Sequence, residues 1–388
     1  MRAVSAVNAA GSADTVAGDR SWRTAAAIFL AAFAIRMAVP LLAPGMHYPD
    51  EVMQSLEQAH RLVFGYGLVP WEFRDGARSW LLPGLLAGPI WLGAVMAPST
   101  DAYRYLAQAL VAALSASSVV IGLYWGLRFS RWHGMLAAVV LGTWFEFVYF
   151  GARALGEVVA SAFLFAGVFL CSGPPDIPRT ARRAFLAGLC LGGEPLPLIT
   201  AAVIVLAHTA FAHKEYRFIY PAIPLVLVSA AFGSAELCRR LGTRSSGHVR
   251  AGLVAIACLA WMVAAAVLAT SPSMRSEWTR GRAGIELMAR AHEEAKCGLG
   301  LLAAWSWTGG YSIYLLDWDR RTWETRAFDA WILPMGFDQP TAFGYRMVAC
   351  GVQNAAGVDA LCLWVRSGGC DQDGVATEAQ RVLNARGQ

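Results

Sequence analysis

Residues 79–100, 105–127 and 251–274 of this chain carry no charge. A membrane's hydrocarbon layer is about 30 Å thick and a helix rises 1.5 Å per residue, so roughly 18 or more apolar residues in a row make a span candidate. Lipid offers the backbone no hydrogen bonds, which leaves helices as the natural way for such runs to cross. Several runs in one chain therefore predict an all-α polytopic membrane protein. Composition agrees, at 56% hydrophobic and 15% charged, where soluble domains carry about a quarter charged residues.

Eight segments are candidate spans: 22–43, 80–97, 104–127, 133–150, 157–172, 184–212, 217–237 and 249–270. A signal peptide is the rival reading of the first, but its apolar stretch from Thr24 to Ala43 is long and contains Arg36, so an uncleaved span is preferred. Cytoplasmic loops collect Lys and Arg. The basic loops are Arg20/Arg23, Arg128/Arg131, Arg179/Arg182/Arg183 and Arg239/Arg240/Arg244/Arg250. All four fall inside if segment 80–97, broken up by Pro83, Gly84, Gly88 and Pro89, is re-entrant or interfacial and makes no net crossing. Seven crossings result, with the N-terminus in and the tail out. The expected organisation is a disordered cytoplasmic N-terminus (1–21), a membrane domain (22–270) with its first outer loop at 44–79, and a small extracytoplasmic α/β domain (271–388). The tail's strand-like stretches are "GLLAAW", "YSIYLL" and "ALCLWV".

The net charge of +5 sits in short inter-span loops rather than on one basic face, so no nucleic-acid partner is expected. Eight cysteines are present. Cys171, Cys190, Cys238 and Cys258 fall in or beside apolar segments and read as packing residues. Cys297, Cys350, Cys362 and Cys370 share the tail, compatible with two disulfides of unspecified pairing in an oxidising compartment. No spacing of Cys and His suggests a metal.

Four polar clusters share the expected outer face. They are His47, Asp50, Glu51 and Gln54; then Glu72, Arg74, Asp75, Arg78 and Ser79; then Arg153 and Glu157; and last His213, Lys214, Glu215 and Arg217. Any one alone is what a solvated helix end looks like. Together, a carboxylate pair among several cations suits deprotonation of an acceptor hydroxyl with neutralisation of a phosphate leaving group.

The stretches "HYPDEVMQ", "WEFRDGARSWLLP" and "HKEYRFIYPAIP" resemble the signatures of glycosyltransferase family 22. These are multi-spanning mannosyltransferases of the GT-C fold, among them enzymes of GPI-anchor and N-glycan assembly that use dolichyl-phosphate mannose. The likeness runs from about residue 25 to residue 230; in the tail only "LGLLAAWSWTGGYS" is similar. The resemblance implies an inverting transferase with an outer-leaflet site, a polyprenyl-phosphate sugar donor, a glycan or glycolipid acceptor, and no cofactor. Asp50 matches the family's first-loop acidic position and is implied to be the general base, with Glu51 orienting the acceptor or sharing that role. His213, Lys214 and Arg217 are implied to hold the donor phosphate, Glu215 to orient Lys214 or Arg217, and Arg74 and Arg78 to be secondary phosphate or acceptor contacts. His47, Gln54 and Arg153 complete the supporting set.

Two positions depart from the family pattern. Glu157 stands where an Asn is usual, and "GGEPLP" stands where family members carry further spans. That second departure motivates a rival reading, a non-catalytic protein that binds a polyprenyl glycolipid. A transferase of another lipid-linked sugar is the third. Of the remaining signals, Arg36 lies in mid-span, as either a functional group or a carbonyl-bonded one. The "DWD" at 317–319 reads as a surface loop, His208 as a bonded core residue, and the tail's Trp residues as core.

Overall fold

The computed structural model describes residues 2–65, 69–97, 102–172, 196–210, 216–242, 247–294, 299–301, 329–337, 339–355 and 358–368, with most side chains described from Trp22 onward. Helix α1 (Arg2–Leu42) is helical from Arg2, ahead of the expected start at residue 22. A π-helical turn (Glu51–Leu56) leads into α2 (Glu57–Phe64), followed by the short α3 (Trp71–Arg74) and then α4 (Leu81–Met96). Next come α5 (Ala102–Leu127), α6 (Arg131–Thr143), α7 (Phe145–Tyr149), α8 (Gly156–Cys171) and α9 (Leu196–Thr209). A 3₁₀ turn (Tyr216–Ala222) precedes α10 (Ile223–Leu241), and α11 (Gly247–Ala269) leads to the tail.

Among the described residues, four stretches are long and apolar enough to cross a membrane: Trp22–Leu42, Ala102–Leu127, Tyr216–Leu241 and Gly247–Ala269. They make this an integral membrane protein. Leu81–Met96, Gly156–Cys171 and Leu196–Thr209 are shorter apolar helices; the expected span 184–212 lies partly outside the described residues. The segment expected at 133–150 is two helices, because Trp144 takes an extended conformation (φ −61°, ψ 125°) between α6 and α7. Segment 80–97 forms one unbroken helix of 16 residues, Pro89 included. At about 24 Å it falls short of the hydrocarbon thickness. It buries Pro83, Leu86, Ile90 and Gly93 along one face while Leu81, Trp91, Val95 and Met96 stay exposed. The helix runs on without a reversal from Leu81 to Met96. The "GGEPLP" interruption lies mostly outside the described residues.

The chain divides into two compact units. One contains 1–37, 111–151 and 157–268; the other contains 38–110, 152–156 and 269–388. The second unit groups residues 44–79 with the tail, across the expected boundary at 270/271.

Within that second unit the tail begins with α12 (Pro272–Trp278) and α13 (Arg282–Glu294). Strands β1 (Leu299–Leu301), β2 (Ala330–Pro334), β3 (Tyr345–Ala355) and β4 (Val358–Arg366) form one sheet in the order β1-β2-β4-β3. The β1–β2 pair is parallel and the other two are antiparallel. Successive strand residues point to opposite faces. Ala330, Ile332, Leu361, Leu363 and Val365 therefore meet Leu287, Met288 and Ala291 of α13 on one face. Trp331, Leu333, Cys362 and Trp364 build a second cluster with Tyr345 on the other. Met53 of the π-helical turn is buried in the first of these cores, so the segment following Asp50 is anchored in the sheet domain.

"ALCLWV" is β4 and the start of "GLLAAW" is β1, while "YSIYLL" and "DWD" lie outside the described residues. Cys350 and Cys362 sit opposite each other on β3 and β4 and are joined as a disulfide, Cα to Cα 4.1 Å. Cys297 and Cys370 lie outside the described residues.

Candidate active site

The first polar cluster folds into a tight entry to the π-helical turn. Pro49 starts it, and its carbonyl accepts from the N–H groups of Val52 (3.0 Å) and Met53 (2.9 Å). Glu51 is only 3% exposed. Its Oε1 accepts the backbone N–H of His47 at 2.6 Å and that of Tyr48 at 3.4 Å. A carboxylate at a helix start is well placed, because unsatisfied N–H groups and the positive end of the helix dipole gather there. The same oxygen lies 3.3 Å from Nη1 of Arg153, itself 4% exposed. Arg153 Nη1 also donates to the Gly45 carbonyl at 3.2 Å. The third cluster thus meets the first, as a buried ion pair that closes the loop from Gly45 to Glu51.

Asp50 is the N-cap residue of the turn, yet its side chain makes no capping hydrogen bond, and it is half-exposed. The two adjacent carboxylates therefore differ sharply. Glu51 is spent on the loop's own backbone and on Arg153, whereas Asp50 reaches the surface.

The second cluster joins through Gln54, whose Nε2 donates to Glu72 Oε1 at 2.9 Å. Arg74 is half-buried, and Asp75, Arg78 and Ser79 are exposed. Ser79 Oγ accepts the N–H of Leu81 and so starts α4.

Two residues that sequence reasoning missed complete this part of the structure. Nδ1 of the buried His47 lies 3.1 Å from Glu277 Oε2, and the same oxygen lies 3.0 Å from Arg280 Nη1. The Arg280 carbonyl accepts the Met46 N–H at 2.8 Å. Burial pushes the His47 imidazole below its ordinary 6.5, against the opposing pull of its hydrogen bond to Glu277; Arg153 lowers it further, and Glu51 and the Glu277 charge raise it. The shift favours the neutral ring. Toward a carboxylate its Nδ1 must donate, which fixes the Nδ1–H tautomer. Burial acts to raise the Glu277 carboxyl, but the His47 hydrogen bond and the Arg280, His47 and Arg153 charges outweigh it and hold it below 4.5. No spacing rule links Glu277 to a loop so far upstream. The only local hint was an Arg three residues after it.

In the other unit, Arg217 is buried with its guanidinium 5.0 Å from the centre of the Phe218 ring. His213, Lys214 and Glu215 lie outside the described residues. Glu157 sits in the first turn of α8. Glu146, also missed, accepts from Trp144 Nε1 at 3.0 Å and from the Tyr216 hydroxyl. A carboxylate inside "TWFEFVYF" was the available signal for the break at Trp144. Arg36 is fully buried and donates to Ser115 Oγ (2.8 Å) and to the carbonyls of Ala32 (3.0 Å) and Leu141 (3.1 Å). Of its two readings, this is the carbonyl-bonded one. His208 packs its ring against Phe218.

A helical integral membrane protein with a carboxylate-bearing first loop braced by an Arg is what fold and site define together. Over residues 27–173 and 184–295 the chain matches the model of the Alg9-like mannosyltransferase family, and the chain belongs to that family. It is 33% identical over 193 residues to a GPI mannosyltransferase 3 of Drosophila melanogaster, covering 49% of this chain and 32% of that protein. A GPI alpha-1,2-mannosyltransferase 3 of Danio rerio is 43% identical over 53 residues, 14% of this chain and 10% of that protein. The chain thus spans about a third or less of the length of these relatives. No solved structure matches.

Proposed function

We propose that this protein transfers a mannosyl residue from a polyprenyl-phosphate mannose donor to a glycan or glycolipid hydroxyl at the outer face of the membrane. Asp50 takes the proton of the acceptor hydroxyl. The hydroxyl oxygen forms its bond to C1 of the sugar as the bond from C1 to the phosphate oxygen breaks, and the phosphate leaves with the electron pair. Attack from the face opposite the leaving group inverts C1. His213, Lys214 and Arg217 neutralise the departing phosphate, and Arg among them suits bidentate contact with its oxygens. The names of the relatives favour a GPI precursor as acceptor.

One observation supports the assignment: of the adjacent carboxylates, Asp50 is partly exposed, while Glu51 is buried in its pair with Arg153. An ordinary carboxylate is a weak base, so it acts by placement more than by strength. The test is transfer of labelled mannose from polyprenyl-phosphate mannose by membranes carrying the protein or its Asp50→Asn variant. Loss of transfer in the variant supports the reading. Donor binding with no transfer by the wild type would favour the non-catalytic glycolipid binder instead. Impermeant thiol labelling of Ser79→Cys and Ser273→Cys in intact cells, with Ser245→Cys as the inside control, tests the orientation.

A further inference from the structure

The loop presenting Asp50 is pinned on both sides. Downstream, the buried Glu51–Arg153 pair closes the turn and Met53 enters the core beneath the sheet. Upstream, residues 45–47 are clamped against the turn that joins α12 to α13. There Met46 N–H donates to the Arg280 carbonyl at 2.8 Å. A Cβ on Gly45 would stand 2.6 Å from that same carbonyl oxygen, so the backbones meet with no room for a side chain. The adjoining Gly281 takes φ +69°, and its N–H donates to the Gln353 carbonyl of β3 at 2.8 Å. Gln353 in turn accepts the Gly284 N–H at 2.7 Å, and Asn354 Nδ2 donates to Thr279 Oγ1 at 2.6 Å. The turn is therefore fixed to the sheet.

A side-chain link joins the end of α12, next to this fixed turn, to the loop: the 3.1 Å contact of Glu277 with His47. Arg280, 3.0 Å from the same oxygen, holds the Glu277 carboxylate in place. Backbone contacts at Gly45 and Met46 set the position of the chain. The His47–Glu277 contact holds the side chain three residues before Asp50, alongside the Glu51 bonds to the His47 and Tyr48 N–H groups.

We infer that Glu277 is a positioning residue for the transfer reaction, acting through His47 to hold the Asp50 carboxylate in its working place. Glu277 touches neither donor nor acceptor in this scheme. Its removal costs turnover because a small misplacement of a base that works by placement is expensive, on the order of 10²-fold for about 1 Å. This inference rests on the proposed function, since it takes Asp50 as the base.

The experiment uses the purified full chain in detergent with polyprenyl-phosphate mannose as the probe, and compares wild type, Glu277→Ala, Glu277→Gln and His47→Ala with the double variant. Glu277→Ala should lower kcat at least 10-fold with little change in KM for the donor, and should raise amide exchange in 44–51 above wild type. Glu277→Gln retains an acceptor for the His47 N–H and should recover most of both properties. In the His47→Ala background, Glu277→Ala should add nothing, a coupling that general destabilisation does not produce. An active wild type whose kcat is indifferent to Glu277→Ala overturns the inference. So does a fall in kcat that Glu277→Gln fails to rescue, or one that is additive with His47→Ala. A folded wild type with no transfer overturns the proposed function itself, and is recognised because it appears before any variant is made.

Discussion

Glu51 and Arg153 face each other at 3.3 Å with almost no surface exposed, immediately beside a half-exposed Asp50. Two adjacent acids that look equivalent in sequence thus have opposite environments, and they should fail in opposite ways.

Replacing Asp50 by Asn should cut transfer by roughly 10²–10⁴, the usual worth of a general base, and leave thermal stability close to wild type. Replacing Glu51 by Ala should destabilise first. Breaking a buried ion pair strands its partner, at about 3–5 kcal/mol, and here two backbone N–H groups also lose their acceptor. Transition midpoints and transfer rates measured on both variants separate the roles. A stable Glu51→Ala that has lost all transfer would move the base from Asp50 to Glu51.

A second expectation concerns pH. The folded-state value of His47 lies below the ordinary 6.5. Above that pH the ring is neutral in both states and costs nothing. As pH falls below 6.5 the unfolded chain takes up the proton first, so stability drops until His47's own lowered value is passed. The slope is at most about 1.4 kcal/mol per pH unit for one proton. Glu277, also lowered, contributes stability that is present above 4.5 and lost as pH falls further. Thermal midpoints of wild type should therefore decline from about pH 6.5 downward, and His47→Gln should flatten the upper part of that decline. Identical profiles would mean that His47 titrates normally.

Much of this architecture was readable because apolar runs report their own length. The four long apolar helices, "ALCLWV" within β4 and the start of β1 all follow from local pattern. The break at Trp144 was not read, since the residues around it are apolar on both sides and Glu146 alone marked the change. Partnership across the chain was less legible still. Arg153 was grouped with Glu51 but not paired with it, and Glu277 had only the Arg three residues after it as a local hint, because nothing in a sequence of this kind records which distant side chain closes a loop. Arg36 carried its ambiguity in full. Only the positions of Ser115, Ala32 and Leu141 show that neutral oxygens satisfy it.

The tail cysteines give a third test. Cys350 and Cys362 are directly paired in register on β3 and β4, so protein prepared without reductant should yield that cross-link in non-reducing peptide mapping. Closing a loop of this size stabilises a fold by about 2–4 kcal/mol, so reduction should lower the thermal midpoint of the tail domain. Finding both thiols free would count against an oxidising compartment for the tail, and so against the outward orientation.

The last expectation separates backbone conformation from close approach, using two glycines with similar dihedrals. Gly65 ends α2 at φ +80°, and a Cβ added there meets nothing within 4 Å. Gly281 has φ +69°, but a Cβ there would stand 2.7 Å from the Met46 carbonyl oxygen and 2.9 Å from the Met46 nitrogen. An L-residue in the left-handed region costs about 1–2 kcal/mol, and Gly65→Ala should show that alone. Gly281→Ala carries the same penalty and must also push apart two backbones, neither of which can yield as a flexible side chain would. Its thermal midpoint should fall well below that of Gly65→Ala, and amide protection at Met46 should drop, because the bond to Arg280 is the first thing the displacement breaks. Gly65→Asn should behave nearly as wild type, since Asn tolerates this region better than other side chains, while Gly281→Asn should not be rescued. Equal losses at the two positions would show that the loop and the turn are not in close contact, and the link from Glu277 to Asp50 would have no backbone to rest on.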